Sequence, residues 1–286
     1  MAAMLIDSHC HLDAPEFDGD RVAVLAAARH AGVDGIVIPA YVAARWPALL
    51  SLCAGHVRVT AQSPQLWPAL GLHPVHLAAH QDDHLAQLAS LLDRHPEVVA
   101  VGEIGLDRFL PELVTEAAWA RQRTLFEAQL VLARERDLPV ILHARRCHAD
   151  ILAALKRVRH RSGGILHAFS GSVEEARQYH RYGLHLGLGG PLTWPGAHRL
   201  QRVAASLPLD AFVIETDAPD LVPWPQHARH ADGRERQPGE RVRNSPAYLP
   251  AVLDIFATLR PESREALSDA FRRNVCRALR LMPDVA

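Results

Sequence analysis

The sequence predicts an α/β protein built as one parallel TIM-type (β/α)8 barrel, a single domain over residues 1–286. Three observations predict it. Eight short apolar runs, each ending near a polar residue or glycine, alternate with longer amphipathic segments, the pattern of parallel strands joined by crossover helices. No G-x-G-x-x-G opens a helix after an early strand, which removes the dinucleotide-binding form of an open, doubly wound sheet. A length of 286 residues suits one such barrel.

The expected strands cover 4–9, 35–40, 69–73, 98–103, 139–143, 164–168, 184–189 and 211–216. Helical stretches fall between them, among them 20–31, 82–95, 117–137, 173–182 and 197–207. In the third of these, Leu125, Ala128 and Leu132 recur at helical spacing, with Arg, Gln and Glu on the other face. A segment rich in proline and charge, 222–246, follows the eighth strand, and 247–259 and 262–279 read as closing helices. Loops over strands seven and eight often build phosphate sites in barrels; a solvated surface loop is the plainer alternative.

Composition narrows the function. The formal net charge is −1, so no global basic field holds a long stretch of nucleic acid by counterion release. Any such contact is local, at one end or a few phosphates. Cys10, Cys53, Cys147 and Cys276 are scattered without a C-x-x-C pair, which argues against a disulfide framework or a cysteine zinc site. No cationic-then-apolar leader and no membrane-length apolar run is present, so the expected setting is reducing and cytoplasmic. Of the histidines, His30, His56, His84, His95 and His160 read as surface or helix residues.

The chemistry lies where polar residues that resist burial meet strand ends. His9 and His11 stand two apart after an apolar run, so in an extended chain both imidazoles face one side while Cys10 faces the other. Alone, the pair reads more readily as two ordinary capping histidines than as a metal site. The same event recurs at Glu103 in VVAVGEIGLD, His143 in PVILHARR, His167 in ILHAFSG and Asp217 in FVIETDAP. In a parallel barrel all strand C-termini open on one face, and buried carboxylates or imidazoles are costly unless paired or metal-bound. Four histidines and two carboxylates exceed what one catalytic metal takes. Two divalent ions about 3.5–4 Å apart, sharing a bridging carboxylate, fit better, with Glu103 as the bridge. The lone lysine, Lys156, sits in a helix and cannot serve as a modified-lysine bridge.

The segments DSHCHLD, GLHP, GEIGLD, LHARR, HAFSGS and ETDAP, followed by RNSP, occur in that order from Asp7 to Pro246. In them the chain resembles the TatD-type metal-dependent deoxyribonucleases of the amidohydrolase superfamily. The resemblance implies that His9, His11 and Asp217 bind one ion, His143 and His167 the other, and that Glu103 bridges. It implies a metal-activated water attacking phosphorus, with Asp217 taking or relaying its proton, and DNA trimmed from its 3′ end. Among supporting residues it associates His73 with substrate phosphate and favours Arg145 over Arg146 as the phosphate clamp. Asn244 either tethers the last loop or reaches substrate. Glu215 is a candidate partner for a ligating histidine, and Asp107 a candidate site residue or helix cap. The chain departs from the family in RFLPELVTE and LGLGGPLTW, neither of which carries an expected ligand.

Two other classes fit the same ligands. A bimetal centre also hydrolyses amides and esters, although His73, Arg145 and the arginine-rich loop suit an anionic substrate. A non-catalytic metal-binding scaffold is the third, against which stands the completeness of the six ligands. The donor set accommodates zinc, manganese, magnesium or nickel.

Overall fold

The computed structural model describes residues 4–55, 63–224, 226–228, 235–237 and 239–281. His56, together with Arg229, Asp232 and Arg234 of the arginine-rich segment, lies outside the described residues.

Eight parallel strands form one sheet in sequence order: β1 (Leu5–Asp7), β2 (Val33–Pro39), β3 (Gln65–Leu70), β4 (Ala100–Asp107), β5 (Val140–Arg145), β6 (Gly164–Leu166), β7 (Leu184–Leu188) and β8 (Phe212–Ile214). The barrel closes between β8 and β1 through single bonds rather than a regular ladder. Ser8 N–H donates to the Ile214 carbonyl (3.1 Å), Asp217 N–H to His9 (2.8 Å) and His11 N–H to Ala218 (2.8 Å).

The outer helices described are α1 (Arg21–His30), α2 (Trp46–Gly55), α3 (His84–Arg94), α4 (Glu116–Glu135), α5 (His148–Val158), α6 (Val173–Arg181), α7 (His198–Ser206), α8 (Leu249–Leu259) and α9 (Arg264–Leu279). Their starts follow local chemistry. Thr115 and Ser263 accept backbone N–H groups at the starts of α4 and α9, and Ser172 with Glu175 makes a reciprocal capping box on α6. Helices α2 and α5 fall outside the helical stretches delimited from the sequence; the nearly all-apolar text of α2, WPALLSLCAG, shows no polar face to mark the period. Among the described residues no helix is long and apolar enough to cross a membrane.

Alternation along the strands sorts the apolar residues into two layers. Ile6, Val37, Ala69, Ala100, Ile141, Ile165 and Val213 face inward, where Val275, Ala278 and Leu279 of α9, with Leu281, pack against them. Their neighbours Leu5, Ile36, Ile38, Val140, Leu142, Leu166, Phe212 and Ile214 face outward beneath the helices. The bottom of the barrel is thus a packed core plugged by the last helix, and the polar residues are left to the opposite end.

The observed strand ends revise several expected bounds. Strand β3 begins at Gln65, before Pro68, a residue that removes a ladder donor and masks a strand in the sequence. It stops at Leu70, so His73 lies in the loop beyond. His9, His11, His167 and Asp217 likewise sit just past their strands. Glu103 is the opposite case, lying inside β4. His160 is buried, not a surface residue; its Nε2 lies 3.0 Å from the Gly163 carbonyl in the turn after α5, which supplies the polar partner that burial requires.

Replacing Leu279 by Ala removes part of the plug under the barrel. The expected loss is about 2–5 kcal/mol of unfolding free energy, read from the urea midpoint; a change below about 0.5 kcal/mol would mean that α9 does not hold the barrel floor.

Candidate metal centre

Ile141 and His143 are two apart on β5, and Val213, Glu215 and Asp217 follow the same parity on and beyond β8, so these polar side chains stand above the inward apolar layer. Strand β4 cannot do this by parity alone. Ala100 faces inward, so Glu103, three residues on, would face the helices. The register shows the solution: Val101 pairs with Val140 but Ile104 with Leu142, three steps on β4 against two on β5. This bulge turns Glu103 into the mouth, the re-aiming that bulges perform near functional sites. Gly102 lets the strands approach there, since a Cβ on it would meet the Ile141 Cβ at 2.6 Å.

Glu103 is fully buried, and its two oxygens face two sets of imidazoles. Oε2 lies 3.1 Å from His9 Nε2 and 3.5 Å from His11 Nε2. Oε1 lies 2.9 Å from His73 Nε2, 3.1 Å from His143 Nδ1 and 3.5 Å from His167 Nε2. Asp217 Oδ1 stands 3.5 and 3.6 Å from Nε2 of His9 and His11. Burial works against the charge on Glu103, but the surrounding imidazoles outweigh it and hold the carboxyl well below its ordinary range. For Asp217 burial prevails and pushes the pKa up to about 7, opposed by His167 and His11.

Most of the histidines are oriented from behind. His11 Nδ1 lies 3.1 Å from the Pro39 carbonyl, and His167 Nδ1 lies 3.1 Å from Glu215 Oε1. His143 Nε2 lies 2.9 Å from Asp107 Oδ2. In the neutral rings each outer nitrogen faces an acceptor and carries the proton, which leaves Nε2 of His11 and His167, and Nδ1 of His143, as lone pairs aimed inward. Two differ: among the described residues His9 Nδ1 is buried without a hydrogen-bond partner, and His73 is turned the other way. Its Nδ1 accepts the Val75 N–H (3.0 Å), so a neutral His73 carries its proton on Nε2 and donates to Glu103. His73 is therefore a hydrogen-bond donor at this site, although it groups geometrically with Glu103 and His143 as a possible metal triad.

The donor set fits a divalent transition cation. The Nε2 atoms of His9 and His11 approach to 3.2 Å, and among the described residues Glu103 Oε2 is buried without a hydrogen-bond partner. A cation held by His9, His11 and Glu103 would satisfy these inward atoms together. His9, Glu103 and His167 form one group of convergent ligand atoms, and His9, His11 and Asp217 another.

The site opens into a cleft of about 840 Å³ lined by His11, His73, Glu103, His143, Arg145, His167 and Asp217, with Tyr41 and Phe169 among the apolar walls. Asn244 is not in that wall. Its Nδ2 donates to the carbonyls of Thr216 (2.8 Å) and Asp220 (2.7 Å), and its Oδ1 accepts the Ser245 N–H, so its bonds tether the last loop. Arg241 and Arg243 of the arginine-rich segment pair with Glu16 and Asp20 on the surface, the solvated-loop alternative for those two.

The matching family model, TatD related DNase, covers residues 6–280. The chain belongs to that family. It is 38% identical to the uncharacterized metal-dependent hydrolase YjjV of Escherichia coli K12, over 96% of this chain and 97% of the relative. It is 35% identical to the 3′-5′ ssDNA/RNA exonuclease TatD of Pantoea vagans, over 97% of this chain and all of the relative. The crystal structure of YjjV superposes with a TM-score of 0.85 at 37% identity, covering 99% of this chain and 100% of YjjV. With these relatives, the chain is a TatD-family metal-dependent hydrolase on a TIM barrel.

The sequence did not signal three supports of the site. The Pro39 carbonyl has no side-chain signature, and the bulge at Gly102–Glu103 has none beyond the glycine. Gly187 was read only as strand. A Cβ there would sit 2.2 Å from Glu215 Oε2, so glycine makes room for the carboxylate that holds His167. Asp107 was visible in GEIGLD, but its bond to His143 depends on two strands pairing. Its other oxygen accepts N–H from Phe109 (2.7 Å) and Leu110 (3.4 Å), so it braces a turn rather than capping a helix.

Gly187→Ala is expected to push Glu215 off His167 and weaken metal binding by about 10–100-fold, with about 1–3 kcal/mol of strain. Metal titration calorimetry and urea unfolding read the two effects, and full metal affinity in the variant would remove Glu215 from the support of His167. A second expectation concerns pH. Burial opposes protonation of His11 and His143, but Glu103 and the nearby aspartates raise both to about 9 in the metal-free protein, from an ordinary 6.5. Raised values contribute stability below pH 6.5 that is lost as pH climbs through 9. The chelated protein should therefore melt at lower temperature at pH 9 than at pH 7. Its metal affinity should rise over that interval, as fewer protons must be displaced; a flat affinity profile would contradict this ordering.

Proposed function

We propose that this hydrolase cleaves phosphodiester bonds at the ends of nucleic-acid strands, trimming DNA from the 3′ end with two divalent cations. The observation that carries the reading is the division of Glu103, one oxygen toward His9 and His11 and the other toward His143 and His167. In this reading His9, His11 and Asp217 would hold one ion, His143 and His167 the other, with Glu103 shared between them. Zinc, manganese, magnesium and nickel all remain compatible with the mixed imidazole and carboxylate set. When bound, such ions lower the pKa of water toward neutrality and neutralise charge on phosphoryl oxygens.

The chain's own groups supply the rest. Asp217 lines the cleft, where its carboxylate can take a proton from the attacking water and pass it on. His73, fixed as an Nε2–H donor by Val75, can turn that proton to a phosphoryl oxygen. Arg145, exposed on the cleft wall, offers a planar set of donors to the same anion. The relative from Pantoea vagans carries the name of an exonuclease on single-stranded DNA and RNA, which supports the substrate class. Four free cysteines accord with a reducing, cytoplasmic setting.

The test is a metal-supplemented digest of a single-stranded oligonucleotide labelled at its 5′ end. Stepwise shortening is expected, lost with chelator and lowered roughly 10²–10⁴-fold in kcat by Asp217→Asn. No shortening with zinc, manganese, magnesium or nickel would reject the nuclease reading. Glu103→Ala should abolish turnover and reduce bound metal below two ions per chain by elemental analysis, while circular dichroism stays native. Near-wild-type turnover in that variant would reject the bridging role.

A further inference from the structure

Beside the cleft, the turn after β4 carries Phe109 with 41% of its surface exposed. Two guanidinium groups face its ring, Arg145 with Cζ 3.5 Å from the ring centroid and Arg146 at 4.6 Å. Among the described residues, no ion pair or side-chain hydrogen bond ties either group. The neighbouring Arg108 differs, lying over Trp119 and 3.6 Å from Asp150. An aromatic face holds a guanidinium in place without neutralising it or occupying its N–H donors. Arg145 and Arg146 are thus oriented in advance and keep their full capacity for an anion.

The backbone agrees. Arg146 adopts a left-handed conformation, φ 59°, which a residue with a Cβ rarely takes unless its surroundings hold it there. The conformation follows directly on β5 and puts two consecutive arginines on one ring, where an extended chain would send them to opposite faces. On the other side, Asp107 fixes the turn through the N–H groups of Phe109 and Leu110 while binding His143. One carboxylate therefore sets the rim in register with the centre.

We propose that Phe109 and Arg146, beside Arg145 at the phosphate being cleaved, form a rim subsite for the neighbouring backbone phosphate of single-stranded nucleic acid. Arg145 lines the cleft and Arg146 stands outside it. Arg146 binds the neighbouring phosphate, and Phe109 is the positioning residue for both cations. The assignment rests on the nuclease reading above and specifies it: the enzyme recognises a strand with at least two consecutive phosphates, not an isolated phosphodiester.

The test measures binding of the metal-loaded enzyme to a fluorescein-labelled, phosphorothioate-backbone octathymidylate, which resists hydrolysis, across a KCl series. Arg146→Asn keeps a residue that tolerates the left-handed backbone. It is expected to weaken binding about tenfold and to reduce the slope of log affinity against log salt by about 0.7, the loss of one single-strand phosphate contact. The dithymidine monophosphate TpT, with one phosphate, should bind the variant and the wild type alike. Phe109→Ala should weaken octathymidylate binding and Phe109→Tyr should restore it. An unchanged slope in Arg146→Asn, equal losses for TpT and octathymidylate, or no octathymidylate binding by the wild type would each overturn the subsite. Cleavage of ordinary oligonucleotides with an unchanged slope leaves the nuclease reading and removes the subsite. Slope-dependent binding without any cleavage does the reverse.

Discussion

Everything at the mouth of this barrel answers to one buried carboxylate. Glu103 has no exposed surface, and its neighbours are imidazoles rather than arginine or lysine. A buried charge is tolerated only where paired, and neutral imidazoles pair poorly with an anion unless protons or cations lie between. In the metal-free protein protons fill that role, which is why His11 and His143 are raised while the more enclosed His9 is lowered to about 4 by burial. Protons on His11 and His143 occupy the places that divalent cations would take. Folding and metal binding are thereby coupled at the same few atoms.

The second layer converts that cluster into a defined site. Pro39, Asp107 and Glu215 each face the outer nitrogen of one histidine, and every such contact decides which nitrogen turns inward. Two of the three are carboxylates, which raise the basicity of the ring as well as orient it. Glu215 is itself raised to about 7 by burial, with His9 and the Ala168 N–H opposing. Its place depends on a glycine across the sheet. Support for the centre therefore extends to β7, a strand that contributes no ligand of its own.

Much of this was legible in the sequence, because it follows from periodicity and from residue type. Strand count, strand order and the six convergent side chains came from apolar runs ending in residues that resist burial. His9 and His11 illustrate the reach of that reasoning: their spacing predicted a shared face, which holds even though both lie beyond β1. Glu103 illustrates its limit. Counting alternation from Ala100 would have turned it away from the mouth, and only the pairing of β4 with β5 reveals the extra residue. Asn244 shows a second limit. The RNSP motif marks it, but whether an amide holds backbone or reaches substrate depends on carbonyls 24 and 28 residues away. His160 shows a third, since a polar residue after a helix reads as surface until the fold places a carbonyl beside it.

The distribution of strain separates the two ends of the barrel. Non-glycine residues with positive φ occur at Asp137, Arg159 and Arg280, where they follow helices and finish them in the usual left-handed way. Arg146, Ala168, Asp217 and Leu221 are different: they follow strands, the last three lining the cleft and Arg146 standing at its rim. Such conformations persist only where packing over-determines them. Here the inward layer from Ile6 to Val213, plugged by α9, supplies that constraint from the opposite end. The apolar floor holds the strands in register, and the register lets the chain leave each strand in a conformation it would not choose alone. Asp217 meets His9 and His11 for that reason, and Arg146 turns back over Phe109 beside Arg145 for the same one. A barrel with a looser floor could keep every ligand in its sequence and still fail to bring them together.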